Sequence, residues 1–341
     1  MNEDVGDRAV VLGGSVAGLF AARVLADFYR SVTVVDRDQL VGATGPRRAV
    51  PQGRHIHGLL TRGQQTIEEL FPGFTKEMAA GGVPARDFGT SLGWHLNGRT
   101  IRKVETDLVC ISPGRWLLEE RTRARVGGLS NVDFMDRTDV VGLEASPDGS
   151  RITGAAVHRR EDGGSGGRRS LPADLVVDAT GRGSRTPRRL TELGYPRVGE
   201  EEVRMDLTYT FHLPSSIRRR YERLARLPEG LLVVGDAACV FNPSYAQGMT
   251  VRRSGRSCSG QYLADGVRGA QRYFRDLVRA IDPQWDMSAG GGLGFPGVAG
   301  RRGLKVRLNA YMPQLRTAAT GTRSCPAPSS GWPVSSTGRR P

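Results

Sequence analysis

The chain has 341 residues, of which 38% are hydrophobic and 25% charged, and this composition fits a globular α/β protein with one large or two medium domains. The net charge of +14 is uneven: residues 250–341 hold 15 Lys and Arg against 4 Asp and Glu, whereas residues 1–249 hold 34 against 31. The basic residues have no interleaved aromatic residues and no nucleic-acid-binding motif, so the charge does not predict nucleic-acid binding.

The N-terminal residues are acidic and polar. The most apolar run, residues 9–26, is shorter than a membrane span and contains an arginine. These features predict a cytoplasmic chain with neither a signal peptide nor a transmembrane segment. The four cysteines have no metal-ligand spacing and are expected to be buried or incidental thiols in a reducing compartment. They are Cys110, Cys239, Cys258 and Cys325.

Residues 9–38 predict a strand, a glycine-rich turn, a helix and a second strand, which make one βαβ unit of a parallel sheet. In the turn GGSVAG, Gly13 and Gly18 occupy the first and third places of the G-x-G-x-x-G dinucleotide fingerprint, and Ser15 occupies the second. Asp36 ends the second strand, where a carboxylate can accept a hydrogen bond from a ribose hydroxyl. The pattern favours a dinucleotide diphosphate at the helix N-terminus over a βα turn without a ligand.

The following segments predict a loop and an amphipathic helix. The loop RRAVPQGRHIHGLL, residues 47–60, carries His55 and His57, which fit loop or cofactor contacts better than a metal site because no further ligand is nearby. The segment ISPGRWLLEERTRARV, residues 111–126, predicts a helix with Arg115 in its first turn, where the helix dipole disfavours a cation. Arg115 therefore indicates an anionic ligand, with a solvated arginine as the alternative.

Two further predicted strands end in polar loops. Residues 174–190, DLVVDATGRGSRTPRRL, predict a strand that ends at Asp178 and a turn with phosphate-binding character. Residues 231–250, LLVVGDAACVFNPSYAQGMT, predict a strand that ends near Asp236, whose carboxylate can accept from a sugar or polyol hydroxyl. Pro243 and Gly248 shape the loop that follows.

Three motifs in order along the chain, GGSVAG with Asp36 and Arg37, DATGRGSRTP, and GDAACVFNPSYAQGM, resemble those of the single-component FAD-dependent monooxygenases, the aromatic hydroxylase and squalene-epoxidase-like group. The resemblance covers about residues 9–250 and extends to GRHIHGL and RWLLEE. It implies a glutathione-reductase-type FAD fold, which is α/β, with a Rossmann-like FAD-binding parallel sheet and a reduced antiparallel substrate-sheet region.

The resemblance also implies which residues hold the cofactor. The adenosine ribose would lie at Asp36, the adenine near Val140 and the ribityl chain at Asp236. Other positions would serve the diphosphate, the flavin and transient NAD(P)H. The full implied set is Gly13, Ser15, Val16, Gly18, Asp36, Arg37, Arg115, Val140, Asp178, Gly181, Arg185, Asp236, Pro243, Gly248 and Met249.

The implied activity is NAD(P)H-dependent hydroxylation or epoxidation of a small aromatic or apolar organic molecule by molecular oxygen. The cofactor carries this chemistry, so no catalytic side chain is expected. A flavin-dependent reductase of similar fold is the alternative enzyme. No metal is expected.

The middle of the chain departs from the family. Residues 186–234 span only 49 positions, fewer than the family's substrate sheet, and predict one strand, VRMDLTYTFHL, and one helix, IRRRYERLARLP. A non-catalytic, FAD-binding remnant is therefore a further alternative. The predicted division is residues 1–200 and 229–320 for the FAD-binding domain with C-terminal helices, 201–228 for a remnant of the substrate domain, and 321–341 for a disordered tail.

The segment VRRSGRSCSG, residues 251–260, departs as well. It stands where the family has an apolar helix, but its two interior glycines disfavour a helix by about 1 kcal/mol each relative to alanine. Its composition, and that of residues 321–341, indicates translation out of the ancestral reading frame. The alternative is a native loop.

Overall fold

The computed structural model describes residues 5–48, 50, 53, 58–93, 95–96, 99–160, 167–208, 212–241, 262–263 and 269–292. The contacts given below are contacts among these residues. The two segments interpreted as out of frame, residues 251–260 and 321–341, lie outside the described residues, as do His55 and His57.

The helices, in chain order, are α1 Val16–Leu25, α2 Thr61–Leu70, α3 Phe74–Ala80, α4 Phe88–Ser91, α5 Arg115–Gly127, α6 Thr186–Glu192 and α7 Ala270–Gly292. The strands are β1 Gly6–Leu12, β2 Tyr29–Val35, β3 Ala85–Asp87, β4 His95–Leu96, β5 Arg99–Thr100, β6 Val109–Ile111, β7 Val132–Met135, β8 Thr138–Ala145, β9 Ile152–Arg159, β10 Arg168–Pro172, β11 Leu175–Asp178, β12 Glu200–Thr208, β13 His212–Arg219, β14 Leu231–Val233 and β15 Cys239–Val240. Short 3₁₀ turns cover Gly181–Gly183, Tyr221–Arg223 and Gly235–Ala237.

A five-stranded sheet in the order β14-β11-β1-β2-β7 forms the centre of the fold, and each neighbouring pair of strands is parallel. In β1, Val11 pairs with Val34 of β2 on one side and with Val177 of β11 on the other. These three valines are almost completely buried, as expected for apolar runs in a parallel sheet covered on both faces. The predicted βαβ unit and the α/β fold class are confirmed.

Glycines in the first βα turn let three backbone segments approach closely. Gly13 has φ +104°, a conformation that L-residues with a side chain rarely adopt, and a Cβ there would lie 2.6 Å from the Ala179 carbonyl oxygen. A Cβ on Gly18 would lie 1.7 Å from the Gly13 carbonyl oxygen. The glycines therefore allow the start of α1 to pack directly on the turn that leaves β1.

Antiparallel strands form two further three-stranded sheets. One has the order β10-β9-β8, and its central strand packs against β11. The other has the order β12-β13-β15. The predicted strand VRMDLTYTFHL, residues 203–213, has its first six residues in β12 and its last two in β13.

The prediction of a helix at IRRRYERLARLP is wrong. Residues up to Arg219 belong to β13, and the segment Tyr221–Arg223 that follows is a 3₁₀ turn. The charged residues of this segment form a pattern typical of the exposed face of a helix. Two of them, Arg218 and Arg219, are instead buried in β13. Arg218 Nη2 lies 2.5 Å from Asp282 Oδ1, and Arg219 Nε donates to Glu200 Oε1 at 2.9 Å. These distant partners stabilise a strand that local propensity does not predict.

The chain divides into two compact units, Met1–His57 with Gly114–Gln284, and Gly58–Pro113 with Trp285–Pro341. The first contains the parallel sheet and both three-stranded sheets. The second contains α2 to α4 and the pairs β3-β6 and β4-β5. Within the described parts of both units, no helix combines the length and apolar character needed to cross a membrane.

We predict that Gly18→Ala lowers the free energy of unfolding by about 1–3 kcal/mol, because the added methyl group overlaps the Gly13 carbonyl oxygen. The helix propensity of alanine alone would favour the variant by about 1 kcal/mol. Urea unfolding followed by far-UV circular dichroism measures the difference. Gly167→Ala is the control, because nothing lies within 4 Å of a Cβ there. A Gly18→Ala variant as stable as the wild type would contradict the close approach.

Candidate functional site

The carboxyl ends of four parallel strands meet at one edge of the central sheet. The residues that follow them are tied together by backbone hydrogen bonds, from Gly13 N to Val35 O at 2.8 Å, from Ala179 N to Leu12 O at 2.8 Å, and from Val234 N to Asp178 O at 2.9 Å. In open parallel sheets, ligands bind in the crevice outside this edge. The polar side chains at this edge therefore define the candidate site.

Asp36 is a buried carboxylate that organises the first turn. Its Oδ2 accepts from Gly14 N at 2.7 Å, and its Oδ1 accepts from Asp38 N at 2.8 Å. Arg47 Nη1 donates to the same Oδ1 at 3.2 Å. The carboxylate thus fixes both the glycine-rich turn and the chain that leaves β2.

Arg47 and Glu119 form a buried ion pair beside Asp36. Arg47 Nε donates to Glu119 Oε1 at 2.5 Å, and Arg47 Nη2 donates to Gly14 O at 3.3 Å. Arg123, one turn further along α5, lies 3.6 Å from the same Glu119 oxygen. Burial opposes the charge on Arg47, but Glu119 and Asp36 outweigh it and raise the pKa of this guanidinium. The buried positive charge of Arg47 is therefore balanced by neighbouring carboxylates.

Ser15 joins this cluster to the start of α1. It occupies the N-cap position, but its hydroxyl does not cap the helix. Ser15 Oγ instead donates to Glu119 Oε2 at 2.8 Å and accepts from Arg115 Nη2 at 3.2 Å. The second fingerprint position therefore carries a hydroxyl that links two helices.

Arg115 is compensated less completely than Arg47. It is 7% exposed, and its Nε is buried without a hydrogen-bond partner among the described residues. Burial lowers the pKa of the Arg115 guanidinium, and the nearby charges of Glu119 and Asp236 only partly oppose this. The alternative interpretation of Arg115, as a solvated arginine without a ligand, is therefore wrong. A buried cation with an unused donor is the feature that an anionic ligand would satisfy.

Asp178 uses its carboxylate to hold its own loop. Its Oδ1 accepts from the backbone and hydroxyl of Thr180 at 2.9 and 2.6 Å, and its Oδ2 accepts from Ser184 Oγ at 2.5 Å. Gly181, at φ +79°, has open space around it, and Arg185 is exposed just before α6. The loop is thus preformed, with its glycine and one arginine accessible.

Asp236 lies in the 3₁₀ turn that follows β14 and is half-buried. Arg219 Nη1 donates to the carbonyl oxygens of Asp236 and Ala237, at 3.3 and 2.8 Å, and so fixes the turn from β13. The Asp236 charge raises the pKa of the Arg115 guanidinium, against the larger lowering by burial.

The remaining predicted site residues have simpler surroundings. Val16 is buried in the first turn of α1, and Arg37 is exposed after β2. The Val140 carbonyl oxygen accepts from Arg189 at 2.6 Å, and β8 begins beside Asp36, whose carbonyl oxygen accepts from Thr138 N at 2.9 Å. Three predicted site residues lie outside the described residues, namely Pro243, Gly248 and Met249.

Sequence reasoning missed Arg47 and Glu119, although both stand in segments that it singled out. Glu119 is four residues after Arg115 in α5 and therefore lies on the same helix face. That spacing could have identified Glu119 as a candidate partner of Arg115 from the sequence. Arg47 and Glu119 are separated by 72 positions, and the sequence gave no signal for their pairing.

Comparison with known proteins identifies the fold. The chain superposes with a TM-score of 0.61 on BexE, which was studied for oxidation during BE-7585A biosynthesis, at 15% identity over 95% of this chain and 76% of BexE. It matches PqsL, a probable FAD-dependent monooxygenase from Pseudomonas aeruginosa, with a TM-score of 0.58 at 15% identity over 93% of this chain and all of PqsL. The myxobacterial FAD-dependent halogenase CndH gives 0.58 at 16% identity, over 93% and 91%.

The fold is therefore that of FAD-dependent monooxygenases and halogenases. In sequence, it is 31% identical to Protein Rv3254 of Mycobacterium tuberculosis, over 85% of this chain and 81% of the mycobacterial protein. The chain belongs to the same family as Protein Rv3254. No family model matches the chain.

The alignment with the mycobacterial protein also shows that the chain is internally shortened. It extends over 395 positions, whereas 85% of 341 residues is about 290 residues. This chain therefore has no residue at about 105 aligned positions, the difference between 395 and 290.

We predict that Arg115→Met leaves the ligand-free protein as stable as the wild type or stabilises it by up to about 4 kcal/mol, because an incompletely paired buried guanidinium is replaced by an apolar side chain. Glu119 keeps Arg47 and Arg123 as partners in this variant. Urea unfolding of both proteins measures the change.

Arg47→Met is the matched comparison. It removes a cationic partner of two buried carboxylates, Glu119 and Asp36, and is expected to cost about 3–5 kcal/mol. An equal loss of stability in both variants would show that Arg115 is as fully compensated as Arg47.

Proposed function

We propose that the chain is an FAD-dependent oxidoreductase of the monooxygenase type, from a lineage that takes electrons from NAD(P)H and oxygenates small aromatic or apolar molecules with molecular oxygen. The observation that carries the proposal is the Arg115 guanidinium, which is buried beside the first turn of α1 with an Nε that has no partner among the described residues. A buried cation with an unused donor at a glycine fingerprint fits a dinucleotide diphosphate.

The residues at the start of α1 fit the diphosphate of FAD. The first N–H groups of a helix have no partner within the helix and carry a partial positive charge. Gly13 and Gly18 carry no side chain in the turn, and the Arg115 guanidinium adds a full charge beside it. These groups would bind the diphosphate without rearrangement of the fold.

Asp36 fits the adenosine ribose. A carboxylate offers about four acceptor sites, and among the described residues this one accepts from three groups, Gly14 N, Asp38 N and Arg47. A ribose hydroxyl can take the fourth. The neighbouring strand β8, with Val140, would line the adenine.

Asp236 and the Asp178 loop fit the other end of the cofactor. Asp236 carries a half-buried carboxylate near Arg115, and we assign it to the ribityl hydroxyls. The loop held by Asp178 leaves Gly181 and Arg185 accessible, and we assign these to FAD and transient NAD(P)H. The remaining assigned contacts are Ser15, Val16, Arg37, Pro243, Gly248 and Met249.

When bound, FAD would supply the redox chemistry. The chain would hold the dinucleotide along the carboxyl edge of the sheet, balance its diphosphate charge with Arg115 and exclude water from the reacting ring. No side chain of the chain needs to act as a nucleophile.

We propose that the FAD-binding domain consists of residues 1–200 and 229–320, and that residues 201–228 are what remains of the substrate domain. One compact unit contains most of both FAD-binding parts, which supports their joining. The missing aligned positions would then fall between residues 186 and 234. Because this loss would reduce the substrate sheet, an FAD-binding protein without oxygenation activity is the second candidate function.

We predict that Asp36→Ala and Asp236→Ala each weaken FAD binding about tenfold to a hundredfold, because each removes an acceptor for a sugar or polyol hydroxyl. Fluorescence titration of purified, flavin-free protein with FAD measures the dissociation constants. Asp133→Ala, at an exposed position of β7, is the control and should bind like the wild type. Unchanged FAD affinity in both variants, with the fold intact by circular dichroism, would remove the assignment.

We predict that NAD(P)H oxidation by the FAD-loaded chain is slow and produces hydrogen peroxide rather than oxygenated product. The reason is that the shortened substrate region exposes the reacting ring to water. Consumption of NADH and NADPH, peroxide formation and product mass can be measured in parallel with aromatic and terpenoid compounds. One oxygenated product per NAD(P)H consumed would demonstrate a working pocket and favour the monooxygenase over the second candidate.

A further inference from the structure

Ser15 is the one fingerprint position at which the chain lacks the expected glycine, and its hydroxyl has two partners. It donates to Glu119 Oε2 and accepts from Arg115 Nη2, both on α5. A hydroxyl has one hydrogen to donate and can also accept, so this arrangement uses it in both directions. The serine is therefore part of a polar link between α1 and α5.

Glu119 is the centre of that link. Its side chain is 5% exposed, and its two oxygens accept from Ser15 Oγ at 2.8 Å and from Arg47 Nε at 2.5 Å. Arg123 lies 3.6 Å from the oxygen that Arg47 contacts. One carboxylate thus joins residues from the first turn, the loop after β2 and α5.

The orientation of two arginines follows from this link. Glu119 fixes Arg47 directly, and it fixes Arg115 through the Ser15 hydroxyl. Arg47 is also paired with Asp36 and Asp38, whereas the Nε donor of Arg115 has no partner among the described residues and remains for another anion.

We propose that Glu119 and Ser15 are positioning residues that hold Arg115 in place for the diphosphate of the cofactor. The inference rests on the proposed FAD-binding function. Glutamine removes the negative charge and keeps one accepting oxygen, so Arg47 and Ser15 can no longer both donate to residue 119. Alanine at position 15 removes the hydroxyl but keeps the Cβ and sacrifices no helix-capping bond.

Binding of FAD, ADP and adenosine to flavin-free protein tests the proposal. FAD is titrated by fluorescence, and ADP and adenosine are measured by competition. Glu119→Gln should weaken FAD and ADP about tenfold and leave adenosine, which has no diphosphate, unchanged. Glu120→Gln, with the same loss of charge one residue further along α5, is the control and should bind all three like the wild type.

Ser15→Ala provides an independent test if Glu119→Gln does not fold. It should weaken ADP but not adenosine, and where both variants fold, the double variant should lose little more than Glu119→Gln alone. Unchanged or tighter ADP binding by Glu119→Gln or Ser15→Ala would overturn the positioning role. Equal weakening of ADP and adenosine would overturn it too, because it would indicate a purely structural role. A wild-type protein that binds none of the three ligands would overturn the proposed FAD function and the positioning role with it.

Discussion

Three buried guanidinium groups, those of Arg47, Arg115 and Arg123, impose the main physical constraint at the carboxyl edge of the parallel sheet. Removing such charges from water costs several kcal/mol each unless they are paired and hydrogen-bonded. Glu119 and Asp36 provide most of the compensation, and they do so unequally. Arg47 has carboxylates on two sides, whereas Arg115 keeps an Nε without a partner among the described residues.

The backbone is built to bring that charge beside the first turn of α1. Gly13 and Gly18 remove the side chains that would separate α1, the turn and β11, and the helix start can then face the same edge as Asp36. Ser15 completes the arrangement because its hydroxyl reaches α5. The chain thus shares its fold with FAD-dependent monooxygenases and halogenases and has its own polar link within it.

The elements that the sequence predicted correctly are those specified by neighbouring residues. The βαβ unit follows from apolar runs on either side of a glycine-rich turn, and α5 follows from its amphipathic pattern. The errors concern residues whose partners are distant in sequence. The arginines of β13 were assigned to a helix because their pattern along the sequence is typical of one. Their partners in the strand, Glu200 and Asp282, are far away along the chain and could not be predicted from neighbouring residues. The pairing of Glu119 with Arg47 was missed for the same reason, since Arg47 lies 72 residues earlier. The cofactor roles of Asp36, Asp178 and Asp236 remain predictions.

The absorbance spectrum of the purified chain, taken after incubation with FAD and removal of free flavin by desalting, tests the central claim most directly. The account predicts a protein that retains flavin absorption equivalent to about one FAD per chain, because Arg115 and the α1 N-terminus hold the diphosphate. A folded protein, shown by circular dichroism, that emerges without flavin absorption would contradict it.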